Sequence, residues 1–276
     1  MSIVPRSLVW ATDIDVLPRS RVVERRDGFL VVRSPSNPTH WWGNMLIFDA
    51  PPEAGDGERW ERLFADEFAG QPASDRRTFA WDRTDGALGA APDELAARGY
   101  ELERTAGLVA AAAEIAPHPR ANREVSVRAL ATDGDEPLWE QVVELHVAGR
   151  QPGEDEHEQR IFERRRQTDL RELFAAGRGS WYVALDGDQV VGSCGVVVTG
   201  GRGRFQTVVT ATAHRRRGIC TRLVADAARR AAATYGAQAL VIAADLDYHA
   251  LGIYESLGFT RAEQVTGAVR RPSGAG

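Results

Sequence analysis

The sequence predicts a mixed α/β fold, an α+β arrangement of helices and strands around a mixed sheet. Three observations carry this. Short apolar runs of strand length recur along the chain, stretches with apolar residues at helical spacing separate them, and glycine-rich turns join three successive strands late in the chain. With 276 residues, 43% hydrophobic and 26% charged, the composition is ordinary for a globular protein and the length suits two domains.

In the first half, residues 28–33 and 45–49 read as strands, with turn-rich 34–38 after the first. Over 58–69, Trp60, Leu63, Phe64 and Phe68 fall at helical spacing and Gly70 ends the helix. Residues 78–82 form a third strand, 93–98 a short helix after Pro92, and 100–109 an alternating strand. The segment Ala116-Pro117-His118-Pro119-Arg120-Ala121-Asn122-Arg123 has two prolines and no periodicity, so it reads as a linker. The expected division is an accessory domain over 1–116, a linker over 117–123, a second domain over 124–270 and a flexible tail over 271–276.

The second half starts with a strand at 125–130. Leu138, Val142, Leu145 and Val147 mark an amphipathic helix over 137–149, and a long charged helix covers 154–176. Strands 181–185 and 190–199 meet at Asp186-Gly187-Asp188, and Gly200-Gly201-Arg202-Gly203 turns the chain into strand 204–210. From Ile219 the period changes to that of a helix, with Leu223, Ala227 and Ala231 following and Gly236 ending it. A strand at 239–244, a helix at 249–257 and a last strand begun by Gly258-Phe259 complete the order.

Composition excludes several functions. A net charge of −5 provides no overall field for gathering nucleic acid. All 34 basic residues are arginine. Cys194 and Cys220 make neither a disulfide framework nor a zinc site, so no metal is expected. No run approaches the ~20 apolar residues that span a bilayer, and the N-terminus lacks the apolar core of a secretion signal. The expected setting is a reducing cytoplasm without membrane or nucleic-acid partners. Glu154-Asp155-Glu156-His157-Glu158 has metal-ligand residue types but reads as a solvated helix start, where acids suit the dipole. The adjacent Trp41 and Trp42 read as core and turn residues, with part of an acceptor pocket or of an inter-domain seam as the alternative.

The strand-to-helix junction at 215–221 carries the most chemistry. Ile219, Cys220 and Thr221 supply the first N–H groups of a helix, which have no acceptor within it and present the positive end of its dipole. Gly218 admits an oxygen close to the backbone, Cys220 is small, and Arg215, Arg216 and Arg217 can reach phosphate oxygens. The segment therefore reads as a pyrophosphate cradle, with a solvated basic cap as the plainer alternative. It lacks the Gly-Lys-Ser/Thr of a Walker loop and the G-x-G-x-x-G of a dinucleotide fingerprint.

Arg215-Arg216-Arg217-Gly218-Ile219-Cys220 resembles the Q/R-x-x-G-x-G/A motif of the GNAT family of acetyl-CoA-dependent N-acetyltransferases. Asp247-Tyr248-His249-Ala250-Leu251-Gly252-Ile253-Tyr254-Glu255-Ser256-Leu257-Gly258-Phe259 is similar to that family's N-x-x-A-x-x-x-Tyr-x-x-Leu-Gly-Phe tail, and the element order over 125–259 is similar as well. The sequence departs from the family at Cys220 (usually Gly or Ala), Asp247 (usually Asn), Thr210 and Thr212.

The resemblance implies a GNAT-like fold over 124–270 and acetyl-CoA as cosubstrate. Its pantetheine arm would lie between the strand ending at Thr210 and the strand at 240–244, paired with the backbones of Val209, Thr210 and Ala211. Its pyrophosphate would lie on 215–221, and Asp247 and Ala250 would complete the site. Tyr254 is implied as general acid to the leaving thiolate, since a phenol of pKa ~10 can donate to a thiol of pKa ~8.5. No base is assigned. The strand at 205–210 has no carboxylate, which leaves Glu144, His146, Asp245, His249 or a water relay, and His146 reads first as a packed histidine. A covalent role for Cys220 is disfavoured, because no partnering His or Asn motif accompanies it.

The implied activity is direct transfer of an acetyl group to a primary amine, of a small molecule or of a peptide, with the helices between Leu138 and Phe174 on the acceptor side. The alternative is an acyl-CoA-binding sensor or scaffold without turnover. Residues 93–100 are loosely similar to the family's helix–Gly–aromatic tail, which implies a tandem chain with a degenerate, non-catalytic first unit. Relatives frequently pair, so a homodimer stays open.

Overall fold

The computed structural model describes residues 3–70, 76–151, 153–246 and 250–271. Its contacts divide the chain into two compact units, one of residues 3–107, 244–246 and 261–271, the other of 108–243 and 250–260.

The first unit opens with helix α1 (Leu8–Asp15), followed by strands β1 (Val22–Arg26), β2 (Phe29–Arg33) and β3 (Met45–Phe48), helix α2 (Asp56–Glu67), strand β4 (Arg77–Trp81), helix α3 (Pro92–Ala97) and strand β5 (Glu101–Ala111), which runs on into the second unit. Asp27-Gly28, with Gly28 at φ +82°, turns β1 into β2 as a two-residue hairpin loop. The pairing β2–β3 is antiparallel and β3–β4 parallel. Between them sits an aromatic core of Phe29, Phe48, Trp60, Phe64, Phe79, Trp81 and Tyr100. Phe48 stacks on Trp60 with ring centroids 3.8 Å apart. Trp41 and Trp42 lie on a short 3-10 turn, Trp42 stacked on Trp10 at 5.1 Å and Trp41 beneath the guanidiniums of Arg76 and Arg271. Both are half-buried.

The second unit contains strand β6 (Ser126–Ala129), helices α4 (Glu136–Ala148) and α5 (Glu156–Ala175), strands β7 (Gly179–Asp186), β8 (Gln189–Thr199) and β9 (Arg202–Thr210), helix α6 (Ile219–Tyr235), strand β10 (Ala239–Asp245) and helix α7 (Leu251–Ser256). Its sheet runs β6-β7-β8-β9-β10. The first four strands are antiparallel neighbours, and β10 joins β9 in parallel. Gly187 at φ +60°, and Gly200 and Gly201 at +55° and +78°, make the two hairpin turns expected of the meander. Helices cover both faces. Ser193 of β8 bonds His146 of α4, while Gly192 beside it faces Ile219 of α6, since successive residues of a strand point to opposite sides.

The last strand, β11 (Thr260–Arg270), returns to the first unit, where its residues Gly267, Ala268, Val269 and Arg270 pair antiparallel with Ala80, Phe79, Thr78 and Arg77 of β4. Gly267 is needed there, because a Cβ would lie 2.5 Å from the Trp42 ring. The chain section expected as 124–270 is thus distributed over both units.

Candidate active site

In the second unit a cleft of about 1020 Å³ opens between β9, the N-terminal end of α6, α7 and the α4–α5 side. Two features of β9 shape it. First, the pairing with β10 covers Arg202–Arg204 against Ala239–Val241, and no further rung joins the two strands among the described residues. Second, β9 has one more residue than β8 between the pairs Ser193–Val209 and Gly195–Gln206, a bulge in which Thr207 takes φ +39°. Thr207, Val208, Val209 and Thr210 all line the cleft. Ala211, expected beside them, is not among the lining residues, and its amide donates to the Val191 carbonyl at 2.9 Å.

The junction after β9 is a 3-10 turn over Thr212–His214, followed by extended Arg215 and left-handed Arg216 (φ +60°). Gly218 (φ +74°, ψ +12°) then caps α6 without any side-chain bond to its N-terminus. The N–H groups of Ile219, Cys220 and Thr221 thus begin a helix whose first backbone bond runs from Arg222 N–H to the Gly218 carbonyl at 3.1 Å. Arg215, Arg216 and Arg217 are exposed at the cleft mouth. All seven residues of 215–221 line the cleft, as do Ala250 and Tyr254. Tyr254 is buried on α7, its ring edge-on to Phe259 at 6.3 Å. Asp247 and His249 lie outside the described residues.

The glycine requirement has a cause that the sequence did not reveal. A Cβ on Gly218 would lie 2.0 Å from the Arg120 carbonyl oxygen and 2.9 Å from the Asn122 nitrogen. The segment read as a linker braces the start of α6. Asn122 N–H donates to the Gly218 carbonyl at 3.0 Å, and its side-chain amide donates to the Arg217 carbonyl at 2.9 Å. Its Oδ1 accepts from Glu124 N–H and Val125 N–H, both at 2.9 Å. His118 and Arg120 of the same segment line the cleft.

Burial pushes the Cys220 thiol up to about 12, which keeps it protonated and unsuited to carrying an acyl group. Cys194 is fully buried on β8. Of the base candidates, Glu144 pairs with Arg160 at 2.8 Å, which holds its carboxyl below the usual range, and it is not a lining residue. Asp245 is exposed and does not line the cleft either. His146 does, together with Glu163, a residue the sequence did not single out. Asp155 accepts from Glu158 N–H at 2.8 Å and so caps α5, the structural role expected for that acidic run.

Residues 139–259 match the model of the acetyltransferase (GNAT) family. Among solved structures, a conserved protein of unknown function from Staphylococcus epidermidis superimposes with a TM-score of 0.68 at 11% identity, covering 91% of this chain and 94% of its own. A GCN5-related N-acetyltransferase from Kribbella flavida gives 0.65 at 15% identity, over 96% and 95%. A tandem GNAT protein from the clavulanic acid biosynthesis pathway gives 0.57 at 15% identity, over 98% and 91%. No curated protein matches the sequence. The mixed α/β fold is therefore shared with GNAT proteins along nearly the whole chain, and residues 139–259 are the part that resembles the GNAT family in sequence.

Proposed function

We propose that the second unit transfers an acetyl group from acetyl-CoA to a primary amine by direct attack. One observation carries the reading: left-handed Gly218 presents the unbonded N-terminus of α6 and three exposed arginines at the mouth of a cleft whose other wall is a strand released from its neighbour. These residues fit a nucleotide diphosphate at one end and an extended amide-bearing arm at the other. The N–H groups of Ile219, Cys220 and Thr221 and the three guanidiniums would hold the diphosphate. The backbone of Thr207, Val208, Val209 and Thr210 would pair with the arm, as an added strand does. A volume near 1020 Å³ leaves room beyond the arm for an acceptor.

When bound, acetyl-CoA supplies an activated acyl thioester. The chain's own residues orient it and handle protons. Tyr254, buried on the cleft wall, would donate its phenolic proton to the departing sulfur. Cys220 takes no covalent part, because its buried thiol holds its proton too firmly to act as a nucleophile. The first unit would be a degenerate companion unit without a role in the chemistry.

An acyl-CoA sensor without turnover is the second reading, favoured by the lack of a carboxylate among residues 205–210. Calorimetric titration with acetyl-CoA, followed by thiol release with a panel of amines, separates the two. Binding with thiol release supports the transferase, and binding without it supports the sensor. The chain has no lysine, so acetylation of its own side-chain amines cannot contribute to the signal.

A further inference from the structure

An alkylammonium cannot attack a thioester until it sheds a proton, because that proton occupies the nitrogen lone pair. The cleft-lining part of β9, Thr-Val-Val-Thr over 207–210, offers no group to take it. On the α4–α5 side, however, His146 and Glu163 line the same cleft, 5% and 4% exposed. His146 Nδ1 lies 2.9 Å from Glu163 Oε2, and Nε2 lies 3.1 Å from Ser193 Oγ. Such a buried ionisable pair is expensive to desolvate, and apolar residues of similar volume would join α4 to α5 as well or better. Its place on a cleft wall therefore points to chemistry rather than packing.

The surroundings suit a reversible proton. The Ser193 hydroxyl donates to Nε2 when the imidazole is neutral and accepts from it when the ring is charged, so His146 keeps both partners in either state. The connectivity is that of a Ser-His-acid triad, but Ser193 is 0% exposed and does not line the cleft, so the serine is not a nucleophile. The working end is the carboxylate. Gln159 Nε2 donates to Glu163 Oε1 at 3.3 Å, and the Arg166 guanidinium stands 3.9 Å from Oε2. From the sheet the pair meets the uncharged Trp181 ring, 5.6 Å from the imidazole. Arg150 and Glu154 line the cleft from the α4–α5 connection, and His118, Arg120, His214 and the three cradle arginines line it elsewhere.

We propose that Glu163 is the catalytic base and His146 its positioning residue, and that the pair selects a cationic alkylamine as acceptor. This rests on the acyl-transfer reading above. The ammonium gives one proton to Glu163 Oε1, which frees its lone pair. The C–N bond forms at the thioester carbonyl carbon, the C–S bond breaks, and the electron pair leaves on sulfur. Tyr254 protonates that sulfur and recovers a proton from the acylated nitrogen. The proton on Glu163 passes to solvent. One ammonium and one thioester thus give one amide, one thiol and one proton.

The test is the pH profile of kcat/KM for alkylamine acetylation by wild type, Glu163→Gln, His146→Phe and His146→Gln, each titrated with acetyl-CoA by calorimetry. Wild type is expected to lose activity toward low pH along an acid limb. Glu163→Gln should lose that limb and about 100-fold in kcat, with acetyl-CoA affinity within about threefold of wild type. His146→Phe removes a donor to the carboxylate, so the limb should move to higher pH. His146→Gln, whose amide can donate, should move it less. A purely structural role would scale the rate equally at every pH, and that result overturns the proposal. So does Glu163→Gln with its limb intact or its kcat within about threefold of wild type. Should His146→Phe fail to bind acetyl-CoA, the comparison of His146→Gln with Glu163→Gln decides by the same limb. A wild-type protein that binds acetyl-CoA yet releases no thiol with any amine defeats the acyl-transfer reading and the base assignment with it, whereas turnover that ignores Glu163 defeats the base assignment alone.

Discussion

Gly218 meets two demands at one backbone position. Its φ of +74° disfavours any side chain, and the Arg120 carbonyl occupies the place a Cβ would take. Gly218→Ala is expected to cost about 1–3 kcal/mol in urea unfolding and to weaken acetyl-CoA binding more than tenfold by calorimetry, because relief of the clash displaces the helix start. Asn122→Ala removes one donor and leaves the amides of Glu124 and Val125 without their acceptor. The expected loss is about 2 kcal/mol of stability, with a raised KM for acetyl-CoA and a smaller change in kcat. Tyr254→Phe is expected to lower kcat at least tenfold while leaving the calorimetric Kd for acetyl-CoA unchanged. The residues that the motifs marked in 215–221 do gather at one cleft. Asn122 and Glu163 escaped notice for physical reasons. Two preceding prolines disguise Asn122 as part of a tether, while its partner Arg217 lies 95 residues further on. Glu163 is one acid among many on a charged helix, and its sequence does not show which face of α5 is buried.

At the scale of elements, short local signals were the legible ones. Both hairpin turns of the meander and the change of period at Ile219 depend on neighbours within a few residues, and the structure follows them closely. α1 and β1 left no comparable signal. The N-terminus of α1 is completed by Glu263, whose carboxylate accepts from Leu8 N–H at 3.0 Å and Val9 N–H at 2.6 Å. β1 is an edge strand of mostly charged residues, with Glu24 paired to Arg26 and Arg33. The entry to α4 yields a pH prediction. Arg128 bonds Asp135 at 2.7 and 2.8 Å and Ala131 N–H adds a third bond, which lowers the carboxyl from 3.8 to about 2. A depressed carboxyl contributes stability above its unfolded value that is lost as pH falls toward its folded one. Asp135→Asn should therefore flatten the fall in Tm between pH 4 and pH 2, as followed by circular dichroism.

At the scale of the whole molecule, the composition break at 116–123 suggested a division by sequence, and the contacts follow a different one because residues 261–271 complete the sheet of the first unit. Short-range patterns cannot reveal which strand pairs with which across 190 positions, such as Val269 with Thr78 or Ala268 with Phe79. A fragment of residues 117–276 would retain the apolar β11 residues Val265, Ala268 and Val269, all buried in the intact chain, without β4 to cover them. It is expected to aggregate in size-exclusion chromatography where the full chain elutes as a single species. The return of β11 also orders events during synthesis. The N-terminal sheet cannot close when its own residues leave the ribosome, and must wait, with the edge of β4 open, until residues 267–270 emerge. A stop codon just before position 267 would thus damage a part of the protein that was translated long before it.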